Sequence, residues 1–180
     1  MFRVAVLGHS LVPRDFDVPE GIDLKVFRKP GATWLDYNCE TFRGFREGQF
    51  DLVVILLGGN DIAQVEASTA FARAKSFVNR ACQQARVVRV YTAESRDFPN
   101  SGLFGISNTV YRTRRNRYNK LLRRWLKATG RLTVDIGRPW IINERSRDGV
   151  HLNQVGTYNL MRSIIRTVMG VKLAQAQGQS

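Results

Sequence analysis

The segment FDLVVILL (residues 50–57) is almost wholly apolar and runs straight into Gly58-Gly59-Asn60-Asp61. A strand with one wet face alternates apolar and polar residues. An unbroken apolar run of this length fits a central strand covered on both faces, as in a parallel sheet. Working outward, residues 2–7, 22–27, 86–92 and 131–136 also read as short strands. Helical patterns lie between them. Within 66–85 the apolar set Ala67, Ala70, Phe71, Ala74, Phe77, Val78, Ala81 and Cys82 falls on one helix face. Tyr118, Leu121, Leu122, Trp125 and Leu126 repeat the pattern, as do Tyr158, Met161, Ile164, Ile165 and Val168. Gly170 then reads as a stop signal. A weaker pattern predicts a helix over 33–45.

Strands alternating with helices predict an α/β fold, a three-layer α/β/α sandwich around a five-stranded parallel sheet. Right-handed crossovers restrict its topology, and the expected strand order is flavodoxin-like, 2-1-3-4-5. One link is tight. Only 14 residues separate Leu7 from Ile22, Pro13 and Pro19 among them. A parallel crossover needs about a dozen or more, so at most one or two helical turns are expected there.

The 180 residues, 43% hydrophobic, suit one domain with a single sizeable core. That domain is placed at 1–170, and 171–180 is expected to be a frayed polar tail. No apolar run approaches the roughly 20 residues of a membrane helix. The start, MFRVAVLG, has no signal-peptide features and reads as a first strand, which predicts a cytoplasmic protein. Cys39 and Cys82 have no metal-ligand or disulfide spacing and are expected to act as small core hydrophobes.

In open parallel sheets, ligands bind beyond the C-terminal strand ends. Gly8-His9-Ser10 ends the first strand and Gly58-Gly59-Asn60-Asp61 the third, which are neighbours in the expected order. A serine hydroxyl needs a base to become a nucleophile. His9 adjoins Ser10 and points elsewhere in most backbone geometries. His151 lies in RDGVHLN, three residues after Asp148. That spacing on a turn lets a carboxylate hold the imidazole in the tautomer a base requires. An oxyanion would need donors, for which the Ser10 amide, a bare amide at Gly31 and the Asn60 side chain are candidates. Taken singly, each has a plain alternative: a strand-to-loop turn, a helix start, or an Asp-Gly turn with Asn153 as an N-cap.

Taken together, Gly8-His9-Ser10-Leu11, Gly31, Gly58-Gly59-Asn60-Asp61 and Asp148-Gly149-Val150-His151 resemble the four blocks of the SGNH, or GDSL-like, hydrolases. The resemblance spans residues 4 to about 168. It implies a serine esterase acting on a small ester or lipid, with Ser10 as nucleophile, His151 as base and Asp148 behind it. Ser10, Gly31 and Asn60 would form the oxyanion hole, with no metal and no cofactor. The family usually carries Asp where this chain has His9. That Asp is not the triad carboxylate, so the departure bears on local geometry around Ser10. The GHS form with GGND and DGVHLN is similar to esterase-like domains in the first reading frame of some animal LINE retrotransposons. Neither the G-x-S-x-G elbow nor a phosphate-binding glycine loop is present.

Net charge is +13, and residues 98–134 carry nine basic side chains and no acidic one. Arg112, Arg114, Arg115, Arg117, Lys120, Arg123, Arg124 and Lys127 lie within 111–127. Such a stretch is either a solvated helix face or a polyanion-binding surface for RNA, DNA or acidic membrane. The second case gives a rival reading, a binding module on this scaffold with weak or no hydrolysis. A flavodoxin-like phosphate binder gives a third, but leaves the Asp148–His151 spacing unexplained. The segment 94–108, with Phe98, Leu103, Phe104 and Ile106, leaves the fourth strand on the side of the site. It reads as a lid or as a loop tucked under the sheet edge.

Overall fold

The computed structural model describes residues 1–98, 105–136 and 150–178. Strands β1 (Phe2–Gly8), β2 (Ile22–Arg28), β3 (Phe50–Leu56), β4 (Ala85–Tyr91) and β5 (Leu132–Val134) form one sheet in the order β2-β1-β3-β4-β5. Every neighbouring pair is parallel, and Gly8 lies in register with both Arg28 and Leu56. The expected sandwich and strand order are both present.

The apolar run of β3 divides by period two. Val53 and Ile55 face one core, with Leu57 just beyond the strand on the same side. Leu52, Val54 and Leu56 face the other core. The first core is closed by α3 (Ala67–Ala81) and α4 (Asn108–Ala128). The second is closed by Leu160, Ile164, Val168 and Val171 of α5 (Gln154–Ala176). Phe77 anchors the first core, with Trp34, Tyr37 and Phe42 edge-on to its ring at 5.1, 5.0 and 6.2 Å. A buried Phe truncated to Ala costs about 3–5 kcal/mol.

Two expectations are corrected. The predicted helix over 33–45 is replaced by a 3-10 turn at Glu40–Phe42 and the single-turn α1 (Arg43–Arg46). Trp34, Tyr37 and Phe42 all turn inward to the Phe77 cluster, and the Asp36 carboxylate accepts from the Thr33 amide at 2.8 Å. That local bond favours a turn over a helix. The second correction concerns Gly170, which does not stop α5. The helix runs on to Ala176 because its apolar face continues to the buried Val171, so residues 171–176 are helical rather than frayed. The basic helix α4 begins at Asn108, with the Ser107 hydroxyl accepting from the Val110 amide as N-cap. No helix forms between β1 and β2.

Candidate active site

β1 ends at Gly8, where no side chain fits. A Cβ would meet the Leu56 carbonyl and the Val12 side chain. The chain then turns, with the Val12 amide donating to the His9 carbonyl at 3.1 Å. Ser10 lies in the middle of this turn, and its carbonyl accepts from the Arg28 guanidinium at 2.9 Å. The His151 Nε2 atom lies 3.0 Å from Ser10 Oγ. His151 comes from the segment leading into α5, whose N-cap is Asn153, its Oδ1 accepting from the Gly156 amide at 3.0 Å. The N-cap and the histidine of DGVHLN therefore coexist. Asp148 lies outside the described residues. Beside Ser10 and His151 opens a pocket of about 360 Å³, lined also by Leu11, Arg14, Arg28 and Leu152. Burial and the nearby Arg14 charge lower the pKa of Arg28.

Two glycines bring the third strand end into place. Gly58 has φ +114, and a Cβ there would meet the Tyr118 hydroxyl at 2.8 Å. At Gly59 a Cβ would overlap the Glu94 carboxylate. The six-residue α2 (Gly59–Gln64) follows, with Asn60 in its first turn. Asn60 Nδ2 donates to the Ala32 carbonyl at 3.0 Å, joining this end to the loop that carries Gly31. Gly31 has φ +76, a conformation glycine adopts without strain. The loop is pinned further by Trp34. Its amide reaches the Asp61 carboxylate at 3.1 and 3.2 Å, and its Nε1 donates to the Tyr118 hydroxyl at 2.8 Å. Asp61 is completely buried, and desolvation pushes its pKa up to about 7 against the pull of the Trp34 amide and Arg73.

Residues that the sequence reading did not assign to the site complete it. His9 is buried, 2% exposed. Its Nδ1 accepts from the Leu11 amide at 3.3 Å, and its Nε2 lies 3.1 Å from Glu94 Oε1. Because Nδ1 accepts, Nε2 carries the hydrogen and donates to Glu94. The same Glu94 oxygen is 3.3 Å from Arg96, whose guanidinium also donates to Asn60 Oδ1 at 2.9 Å. Burial alone would raise the pKa of Glu94. The Arg96 and His9 contacts outweigh it and hold the carboxyl down to about 2. Helix α4 fixes the backbone here. Asn119 accepts from the Ala93 amide at 2.8 Å and donates to the Ala93 carbonyl at 3.2 Å, while the Tyr111 hydroxyl donates to the Glu94 carbonyl at 2.7 Å. A signal for Glu94 was present, since it follows β4 at the same end of the sheet as Ser10 and Asn60.

The basic residues of α4 divide into two sets. Arg114 donates to the Ile62 carbonyl and Arg115 to the Ala93 carbonyl, each at 3.1 Å. Arg123 is 3.5 Å from Asp135. Arg112, Arg117, Lys120, Arg124 and Lys127 are exposed. In the segment after β4, Phe98 and Ile106 are buried in the first core, whereas Leu103 and Phe104 lie outside the described residues.

The fold recurs among solved structures. The aryl esterase of M. smegmatis superposes with a TM-score of 0.74 at 14% identity, covering 95% of this chain and 100% of that one. The lipase/acylhydrolase of Enterococcus faecalis gives 0.68 at 19% identity, over 94% and 96% of the two chains. An acetylxylan esterase from Geobacillus stearothermophilus gives 0.70 at 16% identity, over 92% and 93%. No curated protein matches the chain. The GDSL-like Lipase/Acylhydrolase family matches residues 10–157, from the nucleophile candidate into α5 and across all five strands but the first, and to that family the chain belongs.

Proposed function

We propose that the protein is a serine esterase that hydrolyses carboxylic esters through Ser10, His151 and Asp148. The observation that carries this reading is the 3.0 Å approach of Ser10 Oγ to His151 Nε2 across 141 residues of sequence. In the proposed cycle, His151 Nε2 takes the Ser10 proton as the oxygen attacks the ester carbonyl. The oxyanion is held by the Ser10 and Gly31 amides and by Asn60 Nδ2. His151 then protonates the departing alkoxide. Water, activated by the same imidazole, cleaves the acyl-enzyme and releases the acid. Asp148 holds the imidazole with Nδ1 protonated. Short acyl groups such as acetyl are the proposed substrates, because a chain of 180 residues leaves little room for an elaborate pocket. The same fold occurs in a protein described as an acetylxylan esterase, which acts on an acetyl ester.

The test is labelling with a fluorophosphonate alongside hydrolysis of p-nitrophenyl acetate. Ser10→Ala is expected to abolish labelling, and both Ser10→Ala and His151→Ala to lower turnover by roughly 10³-fold or more. Full activity in Ser10→Ala would remove Ser10 from the mechanism.

A second role rests on a separate observation, the exposed cations of α4 in a segment without acidic residues. This face binds polyanions, RNA or acidic lipid, with affinity that falls steeply with salt. Reversing Arg117, Arg124 and Lys127 to Glu should weaken that binding and leave ester turnover intact. Unchanged binding would make the face a solvated surface only.

A further inference from the structure

We propose that Glu94 is a positioning residue that holds the nucleophile turn and the oxyanion-hole amide to one buried anchor, acting through His9 on one side and Arg96 on the other. The inference rests on the esterase reading and goes beyond it, because none of the three residues touches the reacting atoms.

Three strand ends meet at this carboxylate. From β1 comes His9, whose ring holds the turn closed by accepting from the Leu11 amide while donating to Glu94. An imidazole that accepts at Nδ1 must present its hydrogen at Nε2, so Glu94 selects the tautomer the turn needs. Ser10 is the residue between the two ends of that internal bond. From beyond β4 comes Arg96, which spans Glu94 Oε1 and Asn60 Oδ1. A guanidinium only donates, so the carbonyl end of the Asn60 amide must face it. That leaves the NH2 end directed to Ala32, beside Gly31. From β3 comes Gly59, where the missing side chain makes room for the Glu94 carboxylate. The turn that presents Ser10 and the amide orientation of Asn60 therefore depend on the same charge.

Burial makes the anchor rigid. Glu94, His9 and Arg96 side chains are 1%, 3% and 7% exposed. The carboxylate contacts a guanidinium on one side and an imidazole N–H on the other. Removing it takes away the acceptor that the Arg96 guanidinium and the His9 Nε2–H share, and frees both arms to shift. Their movement reorients the turn at Ser10 and the amide at Asn60, the geometry on which attack and oxyanion stabilisation depend.

The test measures turnover per fluorophosphonate-reactive serine, with kcat and KM determined separately on p-nitrophenyl acetate. A residue that only supports folding lowers the reactive fraction and leaves turnover per reactive site unchanged. Glu94→Ala is expected to lower kcat per reactive site roughly 10²-fold with KM changed less than about threefold. Should that variant fail to fold, Glu94→Gln keeps the oxygen and removes the charge, and is expected to lower kcat per site about tenfold. A double-mutant cycle of Arg96→Met with Asn60→Ala separates the two arms. Arg96→Met should slow wild type and add little once Asn60 is gone. Unchanged turnover per reactive site in Glu94→Gln, or fully multiplicative effects of Arg96→Met and Asn60→Ala, overturns the proposal. Labelling that persists in Ser10→Ala instead overturns the esterase reading beneath it.

Discussion

Asp61 and Glu94 are two carboxylates buried to the same degree on either side of Asn60, and they titrate in opposite directions. Asp61 has no ion-pair partner within 4 Å among the described residues. The Trp34 amide holds both its oxygens, yet desolvation dominates and its pKa rises to about 7. Glu94 touches Arg96 and His9, and its pKa falls to about 2. Burial sets the size of the penalty on a charge, and a contacting cation decides whether the charge survives it. Asp61 thus acts as a hydrogen-bond acceptor that can give up its charge, holding the Gly31 loop through Trp34. Glu94 is a permanent anion at the centre of a network.

The largest expected effect breaks this contrast at its charged end. Glu94→Ala removes the buried carboxylate that Arg96 contacts, and the expected loss of stability is about 3–5 kcal/mol by urea denaturation. Asp61→Asn at neutral pH keeps an acceptor for the Trp34 amide and should fall well short of that loss. Equal losses in the two variants would mean that burial, not pairing, separates the sites.

The next effect is read from pH. The folded pKa of Asp61, about 7, lies above its unfolded value near 3.8, so the unfolded chain releases its proton first. Stability therefore declines as pH rises from about 4 to about 7 and levels above that. Asp61→Asn should remove this decline, leaving a wild-type-minus-variant curve that slopes across that window. Glu94 has the opposite sign. Its folded value of about 2 lies below the ordinary 4.5, so its contribution is complete above about pH 4.5 and fades as pH falls toward 2. Glu94→Gln should remove the acid-side slope alone. Thermal unfolding of both variants between pH 2 and 8 measures the two curves, and a shared slope would collapse the distinction.

The two sites were not equally legible in the sequence. The sheet could be read because its information is local: the apolar run at 50–57 and the helical periodicity after it define layers without knowledge of contacts. Ser10 and Asn60 could be placed at one rim because topology puts the ends of β1 and β3 side by side. His151 came from the spacing in DGVHLN, and its ring lies 3.0 Å from the Ser10 hydroxyl. Position just beyond β4 put Glu94 near the same rim, but nothing in the sequence assigned a role to it or to Arg96. Their partners are 85 and 36 residues away, and no spacing rule links three strand ends. Asn119 gave no signal in the sequence, because its partner, the Ala93 backbone, belongs to another element. The helix expected at 33–45 failed for a related reason: aromatic side chains that could line a helix stripe are drawn instead to the Phe77 cluster. Gly170 misled because a glycine with open space around it is tolerated inside a helix whose apolar face continues.

The smallest effect sharpens the comparison most. Arg73 attracts Asp61, but from beyond ion-pair distance, whereas Arg96 contacts Glu94 directly at 3.3 Å. If contact is what matters, the two arginines are not equivalent despite carrying the same charge. Arg73→Ala should change stability by less than about 0.5 kcal/mol. It should also move the Asp61-linked decline slightly upward in pH, because one attraction to the ionised form is lost. The same comparison with Arg96→Ala should give a destabilisation several times larger and bring the Glu94 titration up toward the ordinary carboxylate range. A large stability loss in Arg73→Ala would show that Asp61 depends on a distant cation after all, and the division between a neutralisable and a permanent carboxylate would then be one of degree.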